Sequence, residues 1–441
     1  MAEEKNLRHL ALSFLEEYEA CGKYANLALN SHKTDSLTAA EKAFLTKLFY
    51  TSVERKITYD YYICALSGRS IDKISKRVVN ILRLGLCQLL DMDSVPAFAA
   101  VNETVKLAKN PGERSFVNGV LRAAERKLND LPLPDKEKKY SRYLSVKYSF
   151  PLPTVNKFIS VFGKRETEAM LSYYNAIPTT DLSVNVIKIS RERLCERLAE
   201  SGYKAEISSL SDVTVRVSGS VDPRLLPGYY EGDFFVQDAA CAAAVAKLAP
   251  KENELIIDVC AAPGGKSFAA AVMMGDGGKI ISCDVRESKL SLIESGAKRL
   301  GLSSVTARAQ DATKPDASLF GKADKVICDV PCSGLGVLGK KPDLRHKSLE
   351  SVLDLPTLQH EILSASAKYL KPGGRMIYST CTLLPEENRA VVEKFLSENP
   401  SYHTVDFEIN GCKSTDGSFT FLPHVYGTDG FFVTLIEKGS L

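Results

Sequence analysis

LIIDVCAAPGGKS (255–267) is the stretch on which the reading of this chain turns. Its first half is an apolar run ending in Asp258 and reads as a buried strand. Its second half is a glycine-rich turn leading into a helical segment. The same alternation recurs downstream, where KIISCDV (279–285), SVTARA (304–309), DKVICDV (324–330) and GRMIYST (374–380) read as strands with helical patterns between them. That order predicts an α/β, doubly wound, mostly parallel sheet over residues 236–441. Such sheets bind ligands outside the carboxyl ends of their strands, at the point where strand order reverses. Asp258, Asp284, Asp311, Asp329 and Cys381 all fall at or just past those ends.

The turn itself separates two ligand classes. Gly264-Gly265-Lys266-Ser267 matches the tail of a triphosphate-binding loop, but the glycine that motif needs five residues before Gly265 is Cys260. A G-x-G-x-x-G pattern is absent too. Pro263 stiffens the turn, and the two glycines let the main chain approach a ligand closely. A rigid turn of this kind suits the amino-acid and ribose portion of S-adenosylmethionine, which has no phosphate to cradle. Asp284 ends the second strand 26 residues past Asp258, where an acidic side chain grips ribose hydroxyls. Asp311, after the third strand, could accept a hydrogen bond from an adenine amino group. The plainer alternative is that strand-end aspartates cap helices or form turns.

Two of the eleven cysteines stand apart from the rest. Cys260, Cys283 and Cys328 lie in or beside apolar strand runs, as core thiols do. Cys332 in DVPCSG (329–334) and Cys381 in YSTCTLLPEEN (378–388) sit on polar turns just past strands. A pyrimidine C5 carbon is too weak a nucleophile to take a methyl group unaided. A thiolate adding at C6 makes C5 enamine-like, and a base must then remove the C5 proton so that the thiolate can leave. Asp329 is placed to hold the N3 edge of the cytosine. Lys266 could put its charge beside the enamine or beside a cofactor carboxylate.

The rest of the 441-residue chain reads as further domains. Residues 1–130 carry helical apolar spacing in LRHLALSFLEEY, EKAFLTKLFYTSVERKI and VVNILRLGLCQLL, which predicts an all-α bundle. RKLNDLPLPDKEKKY (126–140) is a linker candidate. Residues 140–235 read as a small α+β domain, with LSVNVIKI (182–189) and VTVRVSG (213–219) as half-buried strands around a helix over RERLCERLAESG. A net charge of +3 permits a nucleic-acid partner without requiring one. The run KRVVNILRLG (76–85) hints at a basic patch, and a solvated helix face fits it equally. No signal-peptide pattern or long apolar stretch occurs, so a cytoplasmic protein off the membrane is expected. Irregularly spaced cysteines and scattered histidines predict reduced thiols and no metal site.

DVCAAPGGKS (258–267), DVPCSGLGVLGKKPD (329–343) and YSTCTLLPEEN resemble the signature motifs of RNA 5-methylcytosine methyltransferases. VNETVKLAK (101–109) and FVNGVLR (116–122) resemble the NusB-like domain of the bacterial branch that acts on small-subunit ribosomal RNA. The resemblance implies a NusB-like N-terminal bundle, an RRM-like middle domain and a Rossmann-like methyltransferase domain. It implies Cys381 as the nucleophile toward cytosine C6 and Cys332 as the group assisting C5 proton loss and enzyme release. It assigns S-adenosylmethionine to Cys260, Ala261, Ala262, Pro263, Gly264, Gly265 and Lys266, together with Asp284, Asp311 and Asp329, and it places Asp329 against the base as well. The implied partner is 16S ribosomal RNA, free or partly assembled, bound by a monomer, with no DNA. This chain departs from the family pattern at Phe150 (usually His), at Ser183 (usually Arg) and at Lys340-Lys341 (usually Arg-Arg). The target base must be unstacked to enter a pocket. Lys340, Lys341, Arg345 and Lys347 are the residues expected to meet its backbone phosphates.

Overall fold

The computed structural model describes residues 6–21, 34, 37–128, 130–219 and 221–440. By its internal contacts the chain divides into two compact units, Met1–Ser172 with Lys341–Lys347, and Tyr173–Lys340 with Ser348–Leu441.

The first unit is helical among its described residues. The helical apolar spacing becomes α1 (Leu7–Cys21), α2 (Ala39–Glu54), α3 (Lys56–Ser67), α4 (Lys76–Leu90), α5 (Ala97–Val105) and α6 (Pro111–Arg126). The continuous run expected through EKAFLTKLFYTSVERKI is divided at Arg55, which ends α2 and begins α3. A reciprocal cap between Thr38 and Glu41 starts α2 and satisfies two otherwise unpaired N–H groups. Helix α4 runs through the middle, with every residue from Val78 to Gln88 buried. Of the basic residues at 76–85 Arg83 is buried, Arg77 half-buried and Lys76 exposed, and both arginines are held by carboxylates. Arg83 donates to both Asp60 oxygens at 2.7 and 2.8 Å and to Glu19 at 2.7 Å, and Arg77 pairs with Glu16 at 2.7 Å. Beyond the linker candidate come α7 (Tyr140–Tyr148) and α8 (Leu152–Tyr174).

The second unit holds two main sheets. In the smaller, β1 (Thr180–Val184), β2 (Ala205–Ile207), β3 (Thr214–Val217) and β4 (Phe234–Val236) lie in the antiparallel order β2-β3-β1-β4. Leu182, Val184, Val215 and Val217 pack there on Leu194 and Leu198 of α9 (Arg191–Glu200). The strand expected over 182–189 stops at Val184. Asn185 turns the chain by donating its N–H to Asp233 O and its side-chain amide to Gly232 O and Leu300 O.

The larger sheet carries β5 (Leu255–Asp258), β6 (Lys279–Asp284), β7 (Val305–Ala309), β8 (Ala323–Asp329), β9 (Leu370–Thr380), β10 (Tyr402–Thr404), a small hairpin of β11 (Glu408–Ile409) and β12 (Cys412–Lys413) set apart from it, β13 (Ser418–Phe421) and β14 (Phe431–Lys438). The order is β10-β14-β9-β8-β5-β6-β7. Strands β5 to β9 are mutually parallel, whereas β14 enters antiparallel to β9. Helices α10 (Ala239–Leu248), α11 (Gly265–Met273) and α12 (Leu290–Leu300) cover one face, and α13 (Leu355–Ala367) and α14 (Arg389–Glu398) the other. Strand order reverses between β5 and β8, which brings the ends at Asp258 and Asp329 side by side.

Candidate active site

The glycine turn is built from the end of β5. Asp258 is buried and accepts a hydrogen bond from Ser267 Oγ at 2.7 Å, which in turn accepts one from Ser282 Oγ at 2.7 Å. Burial pushes the Asp258 carboxyl up to about 7, against the opposing pull of the Ser267 hydrogen bond and the Lys266 charge. Ala261 N–H donates to Cys283 O at 2.7 Å and fastens the turn to β6. Gly264 sits at φ +113, and a Cβ there would lie 2.3 Å from the Phe268 ring, so the position requires glycine.

Lys266 leaves the first turn of α11 and donates to Asp329 Oδ2 at 2.7 Å, and Ser379 Oγ donates to Asp329 Oδ1 at 2.7 Å. Burial alone would lower the Lys266 pKa, but the Asp329 charge beside it overrides this and raises it. The Lys266 ammonium also lies 5.2 Å from the centre of the Phe431 ring. A lysine and an aspartate distant in sequence thus form one charged pair at the switch point.

Cys332 and Cys381 stand on turns that leave the adjacent strands β8 and β9, and their sulfurs are 3.0 Å apart. The Cys381 sulfur, burial, and the charges of Glu387 and Asp329 raise the Cys332 pKa well above that of an ordinary thiol. The two turns touch through their main chains as well. Gly336 N–H donates to Cys381 O at 2.9 Å and Gly430 N–H to Gly336 O at 2.8 Å. Cys283 and Cys328 are buried in the strands, as read from sequence.

Asp284 and Asp311 lie at the ends of β6 and β7, linked by Gln310 N–H donating to Asp284 O at 3.1 Å. Each uses a carboxylate oxygen for a local turn. Asp284 accepts from Arg286 N–H at 2.9 Å, and Asp311 accepts from Thr313 N–H and Oγ1 at 3.0 and 2.7 Å. The Thr313 hydroxyl hydrogen bond lowers the Asp311 pKa. Turn forming and strand-end placement therefore coexist in these residues.

The basic segment departs from expectation. Lys340 is committed to Asp238 at 2.8 Å and Asp429 at 3.0 Å. Arg345 is wholly buried in the helical unit, 3.2 Å from Glu54 and 4.4 Å from the centre of the Phe150 ring. Arg345 is thus closed to a phosphate, which corrects its assignment to an RNA-facing surface, whereas Lys340 is exposed and already paired with two carboxylates. Lys341 is exposed and Lys347 half-buried. Ser183, one of the departures from the family pattern, is buried and donates to Gln237 Oε1 at 2.9 Å.

Reading from the sequence alone missed Ser379, Thr382, Gln359, Glu387 and Asn388. Asn388 accepts from Thr380 Oγ1 at 2.5 Å and donates to Thr382 O at 3.0 Å, tying down the chain on both sides of Cys381. The signal lay in the polar PEEN (385–388) that follows the cysteine turn, an acidic run beside residues that turn out to be buried.

The sheet, with its one antiparallel strand at β14 and its strand-end site, defines a Rossmann-like methyltransferase domain. Residues 245–437 match the family model "16S rRNA methyltransferase RsmB/F", residues 5–126 match the NusB family, and residues 150–223 match the ferredoxin-like domain of RsmF/B-like methyltransferases. The chain is 36% identical to the probable ribosomal RNA small subunit methyltransferase B of Synechocystis, over 98% of this chain and 99% of that protein. It is 32% identical to its Bacillus subtilis counterpart over 98% and 99%. The solved structure of PH0851 superposes with a TM-score of 0.79 at 26% identity, over 99% of both chains. The chain belongs to the RsmB/F family of 16S rRNA methyltransferases.

Proposed function

We propose that this protein methylates C5 of one cytosine in 16S ribosomal RNA, with Cys381 as the nucleophile and Cys332 as the group that completes release. The observation that carries this reading is the pair of sulfurs 3.0 Å apart on adjacent strand ends, beside the Lys266–Asp329 pair. A single nucleophile would need one thiol. A reaction that adds and later eliminates benefits from a second.

The donor set fits S-adenosylmethionine. Carboxylates stand at the ends of β5, β6 and β7 (Asp258, Asp284 and Asp311), suited to ribose and adenine donors, and Asp258 Oδ1 is buried with no hydrogen-bond partner. The Cys260–Lys266 turn leaves main chain, and not a phosphate cradle, toward the ligand. When bound, S-adenosylmethionine supplies an electrophilic methyl group.

The protein's own groups do the remainder. Cys381 Sγ, as thiolate, forms a bond to cytosine C6 and moves the C5=C6 electron pair onto C5, where the new methyl bond forms. Asp329, steadied by Lys266 and Ser379, orients the N3 edge of the base. Cys332, as thiolate, then takes the C5 proton onto its Sγ, the C5–H electron pair restores C5=C6, and the Cys381–C6 bond breaks with its pair returning to Cys381 Sγ. The raised Cys332 pKa makes its thiolate the stronger base toward that proton.

Under this reading residues 236–441 carry the chemistry, while 1–130 and 140–235 extend the RNA surface, with Lys341 and Lys347 as phosphate contacts. The protein acts as a cytoplasmic monomer on free or partly assembled small-subunit RNA. The test is transfer of labelled methyl from S-adenosylmethionine to unmodified 16S RNA by wild type and Cys381→Ala. Label as 5-methylcytosine with wild type alone is the expected result, and Cys332→Ala should accumulate a denaturant-stable protein–RNA adduct. Equal label with Cys381→Ala would remove Cys381 as the nucleophile.

A further inference from the structure

Between the two cysteine turns lies a carboxylate to which the reaction as outlined gives no role. Glu387 is 1% exposed and forms no ion pair among the described residues. Its oxygens accept from Ser333 N–H at 2.9 Å, from Gln359 Nε2 at 2.9 Å and from Thr382 Oγ1 at 3.3 Å. Ser333 follows Cys332 and Thr382 follows Cys381. Gln359 also donates to Pro331 O at 2.9 Å, just before Cys332. The Ser333 and Thr382 hydroxyls meet each other at 2.7 Å. Both sides of Cys332 and the residue after Cys381 therefore converge on one buried group.

An unpaired carboxylate is costly to bury and persists only where its hydrogen bonds compensate. Here the reason for a carboxylate is chemical. The three groups pointing at it are a main-chain N–H, a side-chain amide NH2 and a hydroxyl, all donors toward it. A carboxylate is acceptor-only, whereas a glutamine of the same size would set its own NH2 against one of them. Its main chain is held too, since Tyr378 OH donates to Glu387 O at 2.6 Å.

We infer that Glu387 is a positioning residue that sets the distance between the Cys332 and Cys381 sulfurs, and so determines release of the methylated product more than its formation. This inference rests on the two-thiol reading above. Cys381 has a second tether in Asn388, so loss of Glu387 displaces Cys332 the more. Addition at C6 continues while elimination slows.

The experiment compares wild type, Glu387→Gln and Cys332→Ala on unmodified 16S RNA. It measures kcat, KM for each substrate, dissociation of S-adenosylmethionine and the fraction of protein trapped as denaturant-stable adduct. For Glu387→Gln we expect kcat to fall at least tenfold with cofactor dissociation within about twofold of wild type, and adduct to rise toward the Cys332→Ala level. General destabilisation would lower turnover and adduct together, so turnover lost without any rise in adduct overturns the inference. A wild-type adduct level and kcat would overturn it as well. If Glu387→Gln does not fold, Thr382→Val removes one donor and the hydroxyl bridge, and the same rise in adduct is required of it. Should Cys332→Ala itself trap no adduct while wild type makes 5-methylcytosine, the two-thiol reading has failed, and not the Glu387 assignment alone.

Discussion

Each carboxylate at the strand ends has been given its own environment. Asp329 is paired directly with Lys266 and Ser379, whereas Asp258, one strand away, has no ion pair among the described residues and is raised by burial to about 7. Against an unfolded value of about 3.9, that shift means the folded protein retains a proton on Asp258 that the unfolded chain releases. The resulting stability is fully present below about pH 4 and is lost as pH rises through about 7, at up to about 1.4 kcal/mol per pH unit. Chemical denaturation at pH 4.5 to 8 should show this slope in the ligand-free wild type, and the difference curve against Asp258→Asn should isolate it. Parallel wild-type and variant curves would mean that Asp258 is ionised throughout. At this scale Cys332, Cys381 and Asp329 were legible because each interrupts a strand-then-turn pattern with a reactive group. Glu387 was not, because an acidic residue in PEEN reads as solvated until a fold buries it.

At the scale of elements, the site depends on the close approach of two turns. Gly336 brings its own N–H to Cys381 O, and a Cβ on it would lie 1.9 Å from Gly430 O and 2.8 Å from Cys381 O. Backbone on both sides leaves no flexible side chain to give way. Gly336→Ala should therefore move the Cys332 turn off the end of β9 and cut methyl transfer by at least tenfold, with S-adenosylmethionine binding retained. Calorimetric binding beside a turnover assay checks this, and matched losses in both would show a general loss of fold. The parallel strands were readable as apolar runs ending in polar residues. Two boundaries were not, at Arg55 and Asn185. Both depend on hydrogen-bond partners that come from elsewhere in the chain, as Asp233 and Leu300 do for Asn185.

Across the whole molecule, sequence neighbours part company. Residues Lys341–Lys347 lie between the two cysteine motifs yet belong to the helical unit, and Lys340 belongs to the other. Arg345 is buried there on Glu54 and Phe150, and His346 Nε2 meets Val53 O at 2.8 Å, with burial holding the imidazole down to about 4 and hence neutral. Phe150 is thus the ring that receives the guanidinium. Removing one partner of such a pair strands the other, so Arg345→Ala should destabilise the helical unit by about 2–4 kcal/mol. Its unfolding, followed by hydrogen exchange of α2 and α7, should soften while the cofactor affinity of the second unit is unchanged. Unaltered exchange in α2 would contradict this.

Local pattern alone determined the helical N-terminus, the parallel strands, the glycine turn and the identity of both thiols. Those features follow from periodicity and from the chemistry of single residues, which a chain carries in its order. Tertiary structure decided the rest: that Lys266 pairs with Asp329, that two cysteines 49 positions apart bring their sulfurs to 3.0 Å, that Glu387 holds both turns, and that Arg345 faces a protein core and not a phosphate. The physical reason is desolvation. Whether a charge meets water, an opposite charge or a set of donors is set by what packs over it, and those groups come from distant stretches of the chain.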